Sequence, residues 1–264
     1  MNAAPPNDPQ HMTFFGHVEA LRPHLVRSAV AVVLLAVAAF LCKGALIDGL
    51  LFGPLRADFP TNRLLLWLAE RSGIDYALPT PELINTTLAG QFNLHLRLSF
   101  TAAFVAALPY CLWEAWRFVR PALTLRERRL CRTAALRVAA AFGSGLAFGY
   151  FILAPLSIAF LASYRVSDAV RNLIDIGSYL STVTQVTIAC ALLFQLPLLV
   201  QLLTRMGLLT AAAMRRYRRH AIVVLAVLAA LVTPPDAFSM LLVLLPLAGL
   251  YEYGIRVAAR TERR

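Results

Sequence analysis

Six apolar runs punctuate the chain, separated by polar stretches of unequal length. They cover about Leu25–Cys42, Leu98–Val119, Val138–Leu161, Tyr179–Leu203, Ala221–Val232 and Met240–Leu250. The first four are long enough for a ~30 Å hydrocarbon core at ~1.5 Å per residue. The last two reach only about 17–18 Å, so they must thin the bilayer, recruit flanking polar residues or form a shallow hairpin. Thr233-Pro-Pro-Asp236 makes the turn between them. Pro109, Pro155 and Pro197 lie inside the second, third and fourth runs. Gly145-x-x-x-Gly149 in the third lets another helix approach closely.

The gaps add detail. Residues 43–96 form the longest gap, with an amphipathic stretch Arg63–Arg71 that carries Trp67 and suits the outer interface. Thr80-Pro81-Glu82 reads as a helix start: a capping hydroxyl, a proline at the first helical position and an acid near the positive dipole end. The first run follows Arg22 and Arg27 like a signal peptide. It lacks a clear small-residue cleavage site and is read as a retained span.

Charge fixes the orientation. Eighteen of the 25 Lys and Arg residues lie in four places: Arg22 with Arg27, Arg117–Arg137, Arg205–Arg219 and Arg256–Arg264. Basic gaps therefore alternate with gaps that hold few cations. Basic loops resist translocation, so both ends are expected in the cytoplasm. The expected class is an all-α membrane protein with six transmembrane helices, the last two short. Residues 17–257 are expected to form the transmembrane body, between a disordered tail 1–16 and a cytoplasmic tail 258–264.

Composition agrees: 59% of the 264 residues are apolar and the mean hydropathy is +0.67, against 45–50% apolar in soluble domains. The net charge of +11 finds its counter-charge in anionic headgroups. The arginines flank apolar spans and form no nucleic-acid motif. Cys42, Cys111, Cys131 and Cys190 are far apart, so they form no CxxC pair or metal signature. No HExxH, GxSxG or P-loop occurs; Gly143-Ser144-Gly145 is a packing element. No catalytic residue, cofactor or metal is expected.

Four acidic features remain. Thr124-x-x-Glu127 has capping-box spacing, and the same carboxylate can be presented to a cationic ligand. Glu114 lies near the inner end of the second span, where a carboxylate needs a partner; Arg117, three residues on, can supply it. Asp236 caps the last helix, and Glu19 with Arg22 forms an i,i+3 pair entering the first span.

The chain resembles the TatC family, the multispanning C subunits of the twin-arginine protein translocase. The resemblance rests on His17-Val-Glu-Ala-Leu-Arg22, Leu108-Pro109, Trp116-Arg-Phe118-Val-Arg-Pro121, Glu127-Arg-Arg129, Phe148-Gly-Tyr-Phe151, Phe194-Gln-Leu-Pro197, Thr233-Pro-Pro-Asp236-Ala-Phe-Ser239 and Tyr251-Glu-Tyr-Gly254. It implies a receptor subunit in the bacterial inner membrane that binds twin-arginine signal peptides of folded precursors. Glu127 matches the family's loop glutamate, Arg22 the arginine of the N-terminal motif, and Phe118 and Pro109 positions that shape the inner end of the second span. Gln195 matches a mid-membrane polar position; with Thr233 and Asp236 it is a candidate for partner-helix contact. The implied partners are small single-span subunits of the TatA/TatB type, further copies of the chain, and lipid. The chain departs from the family's His-Leu-x-Glu-Leu-Arg pattern: Ala20 stands at the glutamate position, and Glu19 is one residue, or ~100° of helix, away. Met240 replaces a glutamine often found after Phe-Ser. The alternative considered is a small-solute or ion carrier on an all-helical scaffold.

Overall fold

The computed structural model describes residues 14–75, 77–79, 81–119, 125–164, 167, 172–233 and 237–262. For 14–18, 116, 119, 125–134 and 232 only the backbone is described. The chain divides into two compact units: residues 1–43 with 96–139, and 44–95 with 140–264. Among the described residues, ten α-helices run in order: α1 (Phe14–Leu41), α2 (Pro60–Ser72), α3 (Gly90–Val119), α4 (Leu125–Phe148), α5 (Ala154–Ser163), α6 (Ile176–Leu193), α7 (Leu196–Arg205), α8 (Ala211–Arg216), α9 (Arg218–Val232) and α10 (Ala237–Glu262). Two short strands, β1 (Glu82–Ile84) and β2 (Leu173–Asp175), pair in parallel with Glu82 opposite Leu173.

Among the described residues, five helical stretches are long and apolar enough to cross a membrane: Glu19–Leu41, Gly90–Ala115, Ala135–Ser163, Ile176–Arg205 and Ala237–Glu262. Helix α9 has 15 residues, about 22 Å of helix. The apolar run Met240–Leu250 sits inside α10, which has 26 residues.

In the first unit, α1 enters through the motif segment and exposes Leu25, Val26, Val30, Val33, Leu34 and Val37. Its span is 6% buried. Along α3, Ser99, Ala103 and Ala107 recur every four residues and are buried, one stripe of a single helical face. Glu114, seven residues further and 1% exposed, lies on the same side.

In the second unit the helices break at proline. Pro155 has no N–H for the Phe151 carbonyl. There the chain passes through a π-helical turn, Gly149–Leu153, before α5 begins. The freed Phe151 carbonyl accepts a hydrogen bond from the Thr61 hydroxyl of α2. Pro197 interrupts the fourth apolar run in the same way, dividing it into α6 and α7 at Phe194–Gln195. Gln195 Nε2 turns back to the Ala191 carbonyl (3.3 Å).

A second π-helical turn, Ala45–Leu51, ends with carbonyls that no helix continues to satisfy. Tyr150 OH donates to the Leu50 carbonyl (2.7 Å) and Tyr179 OH to the Leu51 carbonyl (2.8 Å). Asn62 Nδ2 donates to the Pro54 and Arg56 carbonyls (2.9 and 2.8 Å). These bonds fasten the long gap onto the helices. Helix α2 covers the expected amphipathic stretch, with the Arg71 guanidinium 5.7 Å from the Trp67 ring centre.

The core of this unit gathers Leu153, Val186, Cys190, Leu225, Ala229, Val243 and Leu247. A smaller cluster of Ala211, Met214, Ile255 and Ala258 joins α8 to α10. Glu262 Oε1 accepts from the Ala211 backbone N–H (2.6 Å), and Arg218 pairs with Glu252 (2.9 Å). The Gly145-x-x-x-Gly149 spacing acts as expected. A Cβ on Gly145 would lie 2.6 Å from the Cys190 carbonyl oxygen, and one on Gly149 would lie 2.8 Å from Thr187 Cα. The α4 backbone therefore rests directly on α6.

The helix start expected at Thr80-Pro81-Glu82 is corrected. Thr80 lies outside the described residues, and Glu82–Ile84 is extended because it pairs with Leu173–Asp175, some ninety residues away. Helix α3 begins at Gly90, where a Cβ would collide with the side-chain oxygens of Asn85 and Thr87. Asp175 ends β2 and caps α6: its Oδ1 accepts from Gly177 N (2.9 Å) and Ser178 N (3.1 Å), and its Oδ2 from the Thr86 hydroxyl (3.1 Å). The Ser178 N–H, helped by Thr86 and Gly177, holds this carboxyl below its ordinary value.

Two outcomes follow. Gly145→Val and Gly149→Val should each lower stability in detergent by about 1–3 kcal/mol through forced separation of α4 and α6. Gly143→Ala, where a Cβ meets nothing within 4 Å, should change it little; thermal unfolding of the purified proteins compares them. The Asp175 contribution should be fully present above the unfolded carboxylate value of ~3.9 and disappear as pH falls through the lower folded value. The Tm advantage of the native protein over Asp175→Ala should thus shrink between about pH 5 and pH 2.

Candidate functional site

A carboxylate near the C-terminal end of an apolar helix is doubly disfavoured. Burial penalises its charge, and the helix dipole is negative at that end. Glu114 sits there, five residues before the last residue of α3, with 1% exposure. Both its oxygens are occupied. Toward α1, Oε2 accepts from His24 Nδ1–H at 2.6 Å, with Arg27 Nη1 3.8 Å away. Toward its own helix, Oε1 accepts from Arg117 Nη1 at 3.0 Å and Tyr110 OH at 3.3 Å. Tyr110, Glu114 and Arg117 lie at i, i+4 and i+7, on one face of α3; His24 and Arg27 are i,i+3 neighbours on α1.

The Glu114–Arg117 pair matches the spacing argument. His24, Arg27 and Tyr110 were missed. His24 lies ninety residues from Glu114, and no local periodicity links them. The one available signal was the buried acid itself, which needs more than one exposed arginine to stay charged. The His24 side chain is 19% exposed, whereas Arg27 and Arg117 are about half exposed.

This cluster organises several of the expected site residues. The Phe118 ring meets the His24 ring edge-on, 5.9 Å between centroids. Arg22 stands two residues before His24 and is exposed, as is Glu19. Among the described residues, no ion pair joins Glu19 to Arg22. Pro109 is exposed inside α3, where it leaves the Val105 carbonyl without its usual helical donor. The α4 backbone carries Glu127 as its third residue. Its side chain and Thr124, hence the capping box, lie outside the described residues, as does Asp236.

The partner-helix candidates belong to the second unit. Gln195 is half-buried at the α6–α7 break. Thr233 is 4% exposed, and its hydroxyl donates to the Ala229 carbonyl of its own helix (2.9 Å), so it retains only acceptor capacity. Among the described residues, no cluster of three or more His, Cys, Asp or Glu could hold a metal ion. Among the described residues, the first unit gathers a carboxylate and guanidiniums at one end of the α1–α3 pair.

The comparisons with known proteins agree with one another. The family model described as Sec-independent protein translocase protein (TatC) matches residues 16–246. A Sec-independent protein translocase protein TatC of Blattabacterium sp. subsp. Periplaneta americana is 33% identical over 263 residues, 98% of this chain and 99% of the relative. The TatC protein of Deinococcus radiodurans is 33% identical over 242 residues, 91% of this chain and 83% of the relative. Among solved structures, a crystal structure of the twin-arginine translocase receptor TatC superposes with a TM-score of 0.67 at 25% identity, covering 93% of this chain and 99% of the other. A second, of TatC in the detergent DDM, gives 0.69. These matches displace the solute-carrier alternative. The chain belongs to the TatC family of Sec-independent protein translocases, and is a membrane-embedded subunit of the twin-arginine translocation pathway rather than an enzyme.

Proposed function

We propose that this chain is the signal-peptide-binding core subunit of a twin-arginine translocase that exports folded proteins across the bacterial inner membrane. The observation that carries this reading is the contact between His24 and Phe118. It brings the segment bearing Glu19 and Arg22 to the end of α3, beside a buried and fully engaged carboxylate. Two guanidiniums of a leader need fork-shaped acceptors, which carboxylates supply. Glu127, in the first turn of α4, is the principal acceptor. Glu19 contributes from α1, and Arg22, Phe118 and Pro109 shape the approach.

The same reading makes the chain a six-span protein with both ends inside. The body takes in residues 17–257 and extends along α10, which packs on α8 through Ala258 and Glu262. Helix α9 is the short fifth span, about 22 Å long, which thins the bilayer and leaves a surface for single-span TatA/TatB-type subunits. Gln195, Thr233 and Asp236 are the candidates for contact with such helices. Several copies of the chain assemble in the active complex.

The test is a photocrosslinker at position 127 in inverted membrane vesicles carrying the complete complex. A twin-arginine precursor should give an adduct that a Lys-Lys leader fails to give. Glu127→Ala should reduce precursor binding and export together. If Glu127→Ala leaves both intact, this site is wrong. Topology is checked by cysteine labelling: a cysteine at 57 should react from outside, one at 217 only after the inner face is opened.

A further inference from the structure

Helix α1 is held in its unit in an unusual way. Only 6% of its span is buried, and its large aliphatic side chains face outward. Lipid tails are as apolar as leucine, so such a helix gains little from apolar burial and can turn or slide at small cost. Specific polar contacts must then set its rotation and depth. Two of them converge on one atom. His24 Nδ1 is 2.6 Å and Arg27 Nη1 3.8 Å from Glu114 Oε2, whereas Oε1 is turned to Arg117 and Tyr110 of its own helix. One carboxylate oxygen thus serves α1 and the other α3. The residues it orients are close by: Arg22 is two residues from His24, about 3 Å along the axis, and Glu19 five, about 7.5 Å.

We propose that Glu114 is a positioning residue for leader recognition. Through His24 and Arg27 it fixes the rotation and depth of α1, and so decides where Glu19 and Arg22 stand beside Phe118. Glu114 does not touch the leader: it is 1% exposed and both oxygens are engaged. The inference rests on the signal-peptide reading above and assigns this buried acid a part in it. Its chemistry also sets a rule for position 24. Any side chain that can donate to a buried carboxylate from there should serve, so arginine should replace histidine, and leucine should not.

The experiment uses the full-length protein in lipid nanodiscs, with two readouts. The first needs no cargo: spin labels at the exposed positions 21 and 115 report the distance between α1 and α3. The distribution should be narrow in the native protein and in His24→Arg, and broad in His24→Leu and Glu114→Met. The second is titration with a fluorescent twin-arginine leader. His24→Leu and Glu114→Met should each weaken apparent affinity roughly tenfold, the order expected for losing a hydrogen bond to a charged group. Saturating occupancy should be unchanged. The double variant should lose no more than Glu114→Met alone, and His24→Arg should restore binding.

Unchanged affinity in both single variants overturns the proposal, as does an unchanged distance distribution. Additive losses in the double variant overturn it too, because the two residues would then act separately. Should Glu114→Met fail to fold, His24→Leu carries the test, since Arg27 and Arg117 still attend the carboxylate. Failure of the receptor reading looks different: the native protein itself would not distinguish an Arg-Arg leader from a Lys-Lys one.

Discussion

Hydrocarbon offers no hydrogen-bond partners, so every backbone group released from a helix, and every charge placed in one, must be satisfied by the protein itself. Most of the tertiary features of this chain trace to that constraint. Pro155 releases the Phe151 carbonyl, and Thr61 binds it. The π-helical turn at Ala45–Leu51 leaves its final carbonyls open, and Tyr150 and Tyr179 donate to them. Gln195 folds back to Ala191 where Pro197 breaks the fourth run. In these three places a polar side chain in an apolar segment meets a backbone group that a proline or a helix end has freed.

The same constraint operates on charge in the first unit. A lone carboxylate at the position of Glu114 would be unstable, and one exposed arginine would compensate it weakly. The structure surrounds it with a histidine, two arginines and a tyrosine hydroxyl. What results is a polar joint between α1 and α3. A receptor can use such a joint, because a site for a flexible cationic leader needs its charged groups kept at defined distances. The second unit is built differently. Small residues allow close backbone contact at Gly145 and Gly149, and a continuous aliphatic core joins the helices that follow.

The candidate site was partly legible beforehand. Glu127, Arg22 and Phe118 could be named from motif resemblance, and Glu114 from the cost of an acid in an apolar run. Arg117 followed from i,i+3 spacing. His24 did not follow, because no local spacing ties it to a carboxylate ninety residues away. Thr233, named as a partner-helix candidate, donates its hydroxyl proton to the Ala229 carbonyl of its own helix. The reading of Thr80-Pro81-Glu82 as a helix start failed because local signals were sound but a distant strand claimed the segment.

Periodicity, proline positions and the distribution of arginine by themselves determined the class, the main apolar runs and the close-packing glycines, and the resemblance of short motifs pointed to the family. These are short-range properties, set by hydropathy over about twenty residues or by the spacing of neighbours on one helix. The partners of groups without local ones were decided only by tertiary structure: His24 for Glu114, Thr61 for Phe151, Tyr179 for Leu51, and strand pairing for Glu82–Ile84. The physical reason is one of distance. A sequence shows that a buried charge or an open carbonyl must be satisfied, but the donor comes from a segment brought near by packing, often about a hundred residues away.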